Sequence, residues 1–84
     1  METVFITFRS ITAAQRGERI LKEAQMRAAL QRTPRWMQER GCGYSLKLSS
    51  LIAEAAVELL RQKGVQLVKV YAQSADSQIR ELPL

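Results

Sequence analysis

The chain has 84 residues and a formal net charge of +5 at pH 7, with 13 Lys and Arg against 8 Asp and Glu. It contains no histidine, four glycines and one cysteine, Cys42. This composition excludes histidine-dependent catalysis, an intramolecular disulfide, a multi-cysteine zinc site and the glycine-rich loops that bind nucleotides. We therefore expect one small domain with no metal and no cofactor.

The sequence shows no sign of membrane insertion or export. No apolar stretch approaches the roughly 18 residues that a membrane-spanning helix needs. The first residues, Met1-Glu2-Thr3, are acidic and lead directly into a strand-like run, which does not fit a signal peptide. A single thiol without a disulfide partner fits a reducing compartment, so the cytoplasm is the expected location.

The N-terminal part of the chain predicts a strand and then a helix. Residues 4–8 are β-branched and aromatic, and their alternation puts three side chains on one face of a strand: Val4, Ile6 and Phe8. A helix is expected over residues 11–25, with Ser10 as its N-cap or, as a rival, a capping box that begins at Thr12. Gly17 weakens this helix by up to about 1 kcal/mol relative to alanine, so it indicates a close contact of the backbone.

Three further strands are predicted. They cover residues 27–32, 44–48 and 65–71, and Pro34 ends the first of them.

A second helix is predicted over residues 51–63. Ser49 or Ser50 caps its start, and Gly64 stops it. Helical spacing predicts a buried stripe on this helix: Ile52, Ala55, Ala56, Leu59 and Leu60.

These elements follow one another in the order βαββαβ, which is the plan of the ferredoxin-like fold. The predicted fold class is α+β, with a four-stranded antiparallel sheet and two helices on one of its faces. We assign residues 1–72 to this domain. Residues 73–84 are mixed and polar, and we expect them to form a loose C-terminal extension.

Most of the excess positive charge lies around the only thiol. Residues 27–47 contain five basic side chains and one acidic side chain, whereas the rest of the chain has eight basic and seven acidic residues. Cys42 lies inside this window. This charge can be interpreted as a solvated basic loop without a function. It can also be interpreted as a positive electrostatic field that favours the thiolate form of Cys42.

Glycines flank the cysteine in the tripeptide Gly41-Cys42-Gly43. Glycine permits backbone conformations in which successive amide N–H groups converge on an anion. Further positive potential is expected from three arginines: Arg32, Arg35 and Arg40. A thiol in such surroundings has a lowered pKa. A buried and inert cysteine is the alternative, and the residues alone leave both open.

Several segments of the chain resemble one protein family. The segments are Phe5-Ile6-Thr7-Phe8-Arg9-Ser10, Thr33-Pro34-Arg35, Cys42-Gly43-Tyr44-Ser45-Leu46-Lys47-Leu48 and Lys63-Gly64-Val65. They are similar to the selenium/sulfur carrier-like family of small bacterial proteins, over about residues 3 to 72. The most specific piece is Cys42-Gly43 at the start of a predicted strand, with Pro34-Arg35 upstream.

The resemblance implies a carrier that holds sulfur or selenium on one cysteine as a persulfide or selenopersulfide. Cys42 would carry the atom, the backbone of Gly41 and Gly43 would shape its pocket, and the arginines named above would favour the anion. Trp36 is a candidate lid over the site, or else a core residue under the loop. The expected partners are a sulfur or selenium donor protein and an acceptor enzyme, with the carrier itself a stoichiometric participant and no enzyme.

Two other functions compete with the carrier. A basic chain with a ferredoxin-like sheet also fits nucleic-acid binding, with Phe5 and Tyr71 stacking on bases beside Lys47 and Lys69 on the open sheet face. Burial of this face in a homodimer through Phe5, Leu67 and Tyr71 explains the same residues equally well. A scaffold protein with an inert cysteine is the remaining alternative.

Overall fold

The computed structural model describes residues 2–33, 43–76 and 78–83. These residues form seven regular elements, which are, in chain order, β1 (Thr3–Phe8), α1 (Ile11–Glu23), β2 (Ala28–Arg32), β3 (Tyr44–Ser49), α2 (Ser50–Gln62), β4 (Lys69–Gln73) and β5 (Ile79–Leu82). The first six follow the predicted order βαββαβ, and the fold class α+β is confirmed.

All these strands belong to one antiparallel sheet with the order β2-β3-β1-β4-β5. The central strand β1 pairs with β3 on one side and with β4 on the other. The predicted number of four strands is wrong, because the tail that we expected to be a loose extension adds β5 to the edge of β4. The residues of β5 are mostly exposed, so this segment lacks the alternating pattern that marks a half-buried strand.

The core lies between the two helices and one face of the sheet. Val4, Ile6 and Phe8 of β1 are buried there, as predicted. They share one hydrophobic cluster with Leu21 of α1 and Leu60 of α2. Because successive side chains of a strand point to opposite faces, both helices cover the same face of the sheet.

The ends of α1 are set by one side chain and one unusual backbone conformation. Ser10 caps its start, with its hydroxyl oxygen accepting a hydrogen bond from the N–H of Ala13 (3.2 Å). The helix ends earlier than predicted, because Gln25 has φ 62° and the N–H of Met26 donates back to the carbonyl of Leu21 (2.8 Å). This is a Schellman motif, in which the left-handed position is usually a glycine.

The ends of α2 follow the predicted signals. Ser49 is the N-cap, and its hydroxyl oxygen accepts from the N–H of Leu51 (3.2 Å). Gly64 occupies the left-handed position with φ 79°, and the N–H of Val65 donates to the carbonyl of Leu60 (2.9 Å). Here glycine stands where the geometry requires it.

The buried side of α2 is rotated by about one residue from the predicted stripe. The fully buried residues are Ala53, Ala56, Val57 and Leu60. Ala55 is exposed, so the prediction for this residue is wrong, whereas Ile52 and Leu59 are half-buried and pack against the core. The shift arises because the small side chain of Ala53, which the pattern gives little weight, lies at the helix–sheet contact.

Gly17 lies where α1 crosses the core. A β-carbon there would lie 3.3 Å from Cδ1 of Leu46 and 3.3 Å from Cζ of Phe8, closer than the optimum of about 3.5–4.0 Å for two carbons. Both neighbours are buried and have little room to move. The predicted close contact of the backbone is confirmed.

β4 begins later than predicted, at Lys69 instead of residue 65. Val65 closes the end of α2, as described above. The hydroxyl of Thr7 accepts from the N–H of Lys69 (3.0 Å) and donates to its carbonyl (3.2 Å), while the carbonyl of Thr7 accepts from the N–H of Val68 (2.8 Å). Two residues of the incoming chain therefore bond to Thr7, and the paired register of β4 with β1 begins at Lys69.

An ion pair connects β5 to the start of β1. Nη2 of Arg80 donates to Oε1 of Glu2 at 2.7 Å. This hydrogen bond lowers the pKa of the Glu2 carboxyl and raises the pKa of the Arg80 guanidinium. The adjacent Glu81 lies 3.4 Å from Nζ of Lys69 on β4, so the charges along β5 are paired with neighbours in the same sheet.

Candidate functional site

The structure describes the surroundings of the predicted site in part. Residues 34–42 lie outside the described residues, and with them five residues that we predicted for the site: Arg35, Trp36, Arg40, Gly41 and Cys42. The described part consists of the residues on either side, including Arg32 and Gly43. The structure therefore shows the two strand ends between which the segment with Cys42 runs.

A backbone hydrogen bond joins the two ends of this segment. The N–H of Thr33 donates to the carbonyl of Gly43 at 2.8 Å, directly beyond the last pair of the β2–β3 ladder, in which Arg32 lies opposite Tyr44. Thr33 is only 3% exposed. The chain therefore leaves β2 and enters β3 at one fixed point, and Cys42 is the residue immediately before that point in the sequence.

Arg32 is a predicted cationic residue of the site that the structure describes. It is exposed at the end of β2, while Tyr44 opposite it packs against the hydrophobic core. Because Thr33 and Gly43 form a hydrogen-bonded pair, the neighbouring pair is of the non-bonded kind, with α-carbons about 4.5 Å apart. Within the described ranges Arg32 makes no ion pair, so its charge is available at this end of the sheet.

Of the two glycines predicted to shape the site, the structure describes Gly43. Its φ lies outside the left-handed region in which the structure places Gly64. A β-carbon at position 43 would meet nothing within 4 Å. The convergence of amide groups around Cys42 stays a prediction, because Gly41 and Cys42 lie outside the described residues.

The open face of the sheet differs from our expectation. Phe5 lies opposite Lys47 and Tyr71, but it is only 4% exposed and offers no free ring face for stacking on a base. Leu67 lies outside the strands and packs against the core, whereas we expected it on the open face. Of the three residues predicted for a homodimer, Tyr71 is the one that is partly exposed on this face. The homodimer itself stays a prediction.

The sequence interpretation missed a groove at the opposite end of β2. It has a volume of about 720 Å³, and apolar side chains are prominent in its lining: Met26, Ala28, Leu48, Leu51 and Ile52. Leu51 is 79% exposed. A signal was present in the sequence, because Leu51 is a large apolar residue that lies off the predicted stripe of α2.

The described residues contain neither a metal site nor a membrane span. No group of His, Cys, Asp or Glu among residues 2–33, 43–76 and 78–83 could hold a metal ion. In the same ranges no helix is long and apolar enough to cross a membrane. The carboxyl groups with a shifted pKa there lie far along the chain from Cys42: Glu2, lowered by Arg80, and Asp76, lowered by a hydrogen bond from Ser74.

Comparison with protein families gives a match. A family model described as "Putative Se/S carrier protein-like" matches residues 3–72. The match runs from β1 to the penultimate residue of β4, includes the segment with Cys42 and ends before β5. No curated protein and no solved structure matches the chain.

Proposed function

The chain belongs to the selenium/sulfur carrier-like family, and from this membership we propose that it carries sulfur or selenium on Cys42 as a persulfide or selenopersulfide. The observation that carries the proposal is a family match that spans residues 3–72 of a chain with only one cysteine. A single thiol suits such a carrier, because a second cysteine nearby would convert the loaded persulfide into a disulfide.

The proposed transfer needs a nucleophilic thiolate and no redox partner. The Cys42 thiolate attacks the outer sulfur of a persulfide on the donor, so that a new S–S bond forms and the S–S bond of the donor breaks. The donor cysteine leaves as a thiolate, and the proton stays on the transferred sulfur. A nucleophile of the acceptor then attacks the same sulfur and releases the Cys42 thiolate. The protein acts as a stoichiometric carrier in this scheme.

Positive charge near the cysteine supports the thiolate form. The α-carbons of residues two positions apart are separated by at most about 7 Å. This limit applies to Cys42 and Tyr44 whatever the conformation of the chain between them. Arg32 lies opposite Tyr44 and is free of ion pairs within the described ranges. Its effect falls off over a Debye length of about 8–10 Å at moderate salt. We therefore expect a modest stabilisation of the thiolate that weakens as salt is added.

The position of β2 in the sheet supports the proposal that a partner protein can reach this cysteine. The segment with Cys42 connects β2, an outer strand, to β3. We propose that the first six elements follow the ferredoxin-like plan, on the basis of their order βαββαβ, with β5 as an addition. We further propose the cytoplasm as the location, because a persulfide carrier needs its thiol reduced.

Alkylation kinetics test the proposed thiolate. We expect iodoacetamide to modify Cys42 below pH 7 faster than it modifies a free thiol with a pKa of about 8.5. Arg32→Gln should slow the reaction a few-fold at low salt. Lys22→Gln removes an exposed cation from α1 and, as the matched control, should leave the rate unchanged. An alkylation rate of Cys42 no higher than that of an ordinary thiol at the same pH would contradict the proposal and favour an inert cysteine.

The hypothesis of nucleic-acid binding relied on two aromatic residues for base stacking, and one of them, Phe5, is buried. Retention on heparin with a steep salt dependence would support it all the same, because the number of phosphate contacts sets that slope. We expect a shallow dependence.

A further inference from the structure

β2 presents an edge that is unpaired within residues 2–33, 43–76 and 78–83. It is an outer strand of the sheet, and within the described ranges no other strand pairs with its second side. Because Thr33 and Gly43 form a hydrogen-bonded pair, every second residue of β2 bonds to β3 and the residues between them direct their backbone N–H and C=O groups outward. The outward residues are Ala28, Leu30 and Arg32. Such a row of backbone groups is a template for another extended chain.

Cations flank this edge. Arg27 directly precedes β2, Arg32 ends it, and Lys47 lies across from it on β3. All three side chains are exposed. None of them makes an ion pair with any residue that the structure describes. The edge therefore has a positive potential that favours a negatively charged neighbour.

The opposite outer strand, β5, does not share this property. Its two charged residues are paired inside the sheet, Arg80 with Glu2 and Glu81 with Lys69. The charge asymmetry between the two edges distinguishes β2 as the edge that attracts an acidic segment.

The groove described above adjoins the N-terminal end of β2. Ala28 and Ala29 of β2 line it, together with the exposed Leu51 at the start of α2. Glu2 also lines this groove, and its charge is compensated by Arg80. An extended segment that runs along β2 can therefore place an apolar side chain beside Leu51.

We propose that the edge of β2 binds an extended acidic segment of a partner protein, which adds a strand to the sheet and inserts an apolar side chain into the groove. A second copy of this chain fits less well, because pairing of two β2 strands would bring two positively charged edges together. β2 leads directly into the segment with Cys42. In identifying the partner as a sulfur or selenium donor or acceptor, the inference rests on the proposed function.

A peptide-binding experiment tests this docking site. The protein is used as Cys42→Ser, so that binding does not depend on thiol chemistry and a failure here leaves the carrier proposal to its own test. The probe is a fluorescent, end-blocked peptide, Asp-Glu-Val-Thr-Val-Glu-Asp, measured by anisotropy at low salt. We expect binding, at least about tenfold weaker affinity after N-methylation of alternate backbone amides, and no binding of the peptide with Lys and Arg in place of its acids.

Variants of the protein locate the site. Ala28→Pro removes an outward N–H at the first residue of a strand, where proline is tolerated, and should weaken binding about fivefold or more. Arg27→Glu with Arg32→Glu should weaken it about tenfold or more. Arg19→Glu with Lys22→Glu makes the same change of net charge on the exposed side of α1 and should leave the affinity unchanged.

Four results would overturn the inference. They are no binding of the acidic peptide, equal binding of the acidic and basic peptides, no effect of N-methylation, and a dimer that Ala28→Pro dissociates. The last result would show that a second copy occupies the edge.

Discussion

Proline substitution at two neighbouring alanines of β2 tests the strand register on which the docking site depends. In the observed register Ala29 forms a hydrogen-bonded pair with Lys47, and Ala28 directs its N–H outward. Ala29→Pro removes a ladder hydrogen bond, worth about 0.5–1.5 kcal/mol net, and leaves the Lys47 carbonyl without its partner. Because both positions carry only a methyl group, neither substitution removes much packing. We expect Ala29→Pro to lower the free energy of unfolding by about 2 kcal/mol and Ala28→Pro by less than about 0.5 kcal/mol.

Urea unfolding followed by circular dichroism measures this difference. The two variants should have the same m value as the wild type, so that midpoints report stability. If the two prolines cost the same, or if Ala28→Pro costs more, then β2 is paired in another register and its outward groups are not those named here.

Three further predictions concern the fold. Thr7→Val keeps the shape of the side chain but removes both of its hydrogen bonds to the β4 backbone, so the free energy of unfolding should fall by about 1–2 kcal/mol. The control Thr3→Val on the same strand should change the free energy of unfolding by less than about 0.5 kcal/mol. Equal effects of the two substitutions in urea unfolding would contradict this prediction. Gln25→Gly relieves the left-handed backbone at the end of α1 and should raise stability by about 0.5–1 kcal/mol in the same assay, and a loss would contradict that geometry. The hydrogen bond from Arg80 lowers the pKa of Glu2. The stabilisation from this ion pair is therefore complete above the pKa of a glutamate in the unfolded chain, about 4.3. It is lost as the pH falls through the lower pKa that Glu2 has in the folded protein. In an NMR titration Arg80→Gln should return the pKa of Glu2 to its ordinary range, and an unchanged pKa would exclude the ion pair as its cause.

The predicted helices and strands carried local signals, whereas β5 and the late start of β4 did not. Ser10, Ser49 and Gly64 mark helix ends by chemistry that needs no distant partner, and the structure uses all three. β5 forms only because β4 offers an edge. The residues of β5 are mostly exposed, so hydrophobic periodicity could not predict this strand. The late start of β4 likewise depends on Thr7, which is distant in sequence.

The sequence suggests the chemistry of the candidate site, but it does not give the geometry of the strands on either side of it. The single cysteine and the positive charge around it are visible in the composition. The Thr33–Gly43 hydrogen bond and the outward groups of β2 follow from register, which is a property of two paired strands.

Intact-mass spectrometry of the loaded protein tests the carrier proposal most directly. The wild-type chain is incubated with glutathione persulfide or with its selenium analogue, and then with an excess of a thiol acceptor. We predict a gain of one sulfur or selenium atom on Cys42 and a return to the starting mass after the acceptor is added, with no gain in Cys42→Ser. No gain with either donor, or a gain that persists in Cys42→Ser, would contradict the account.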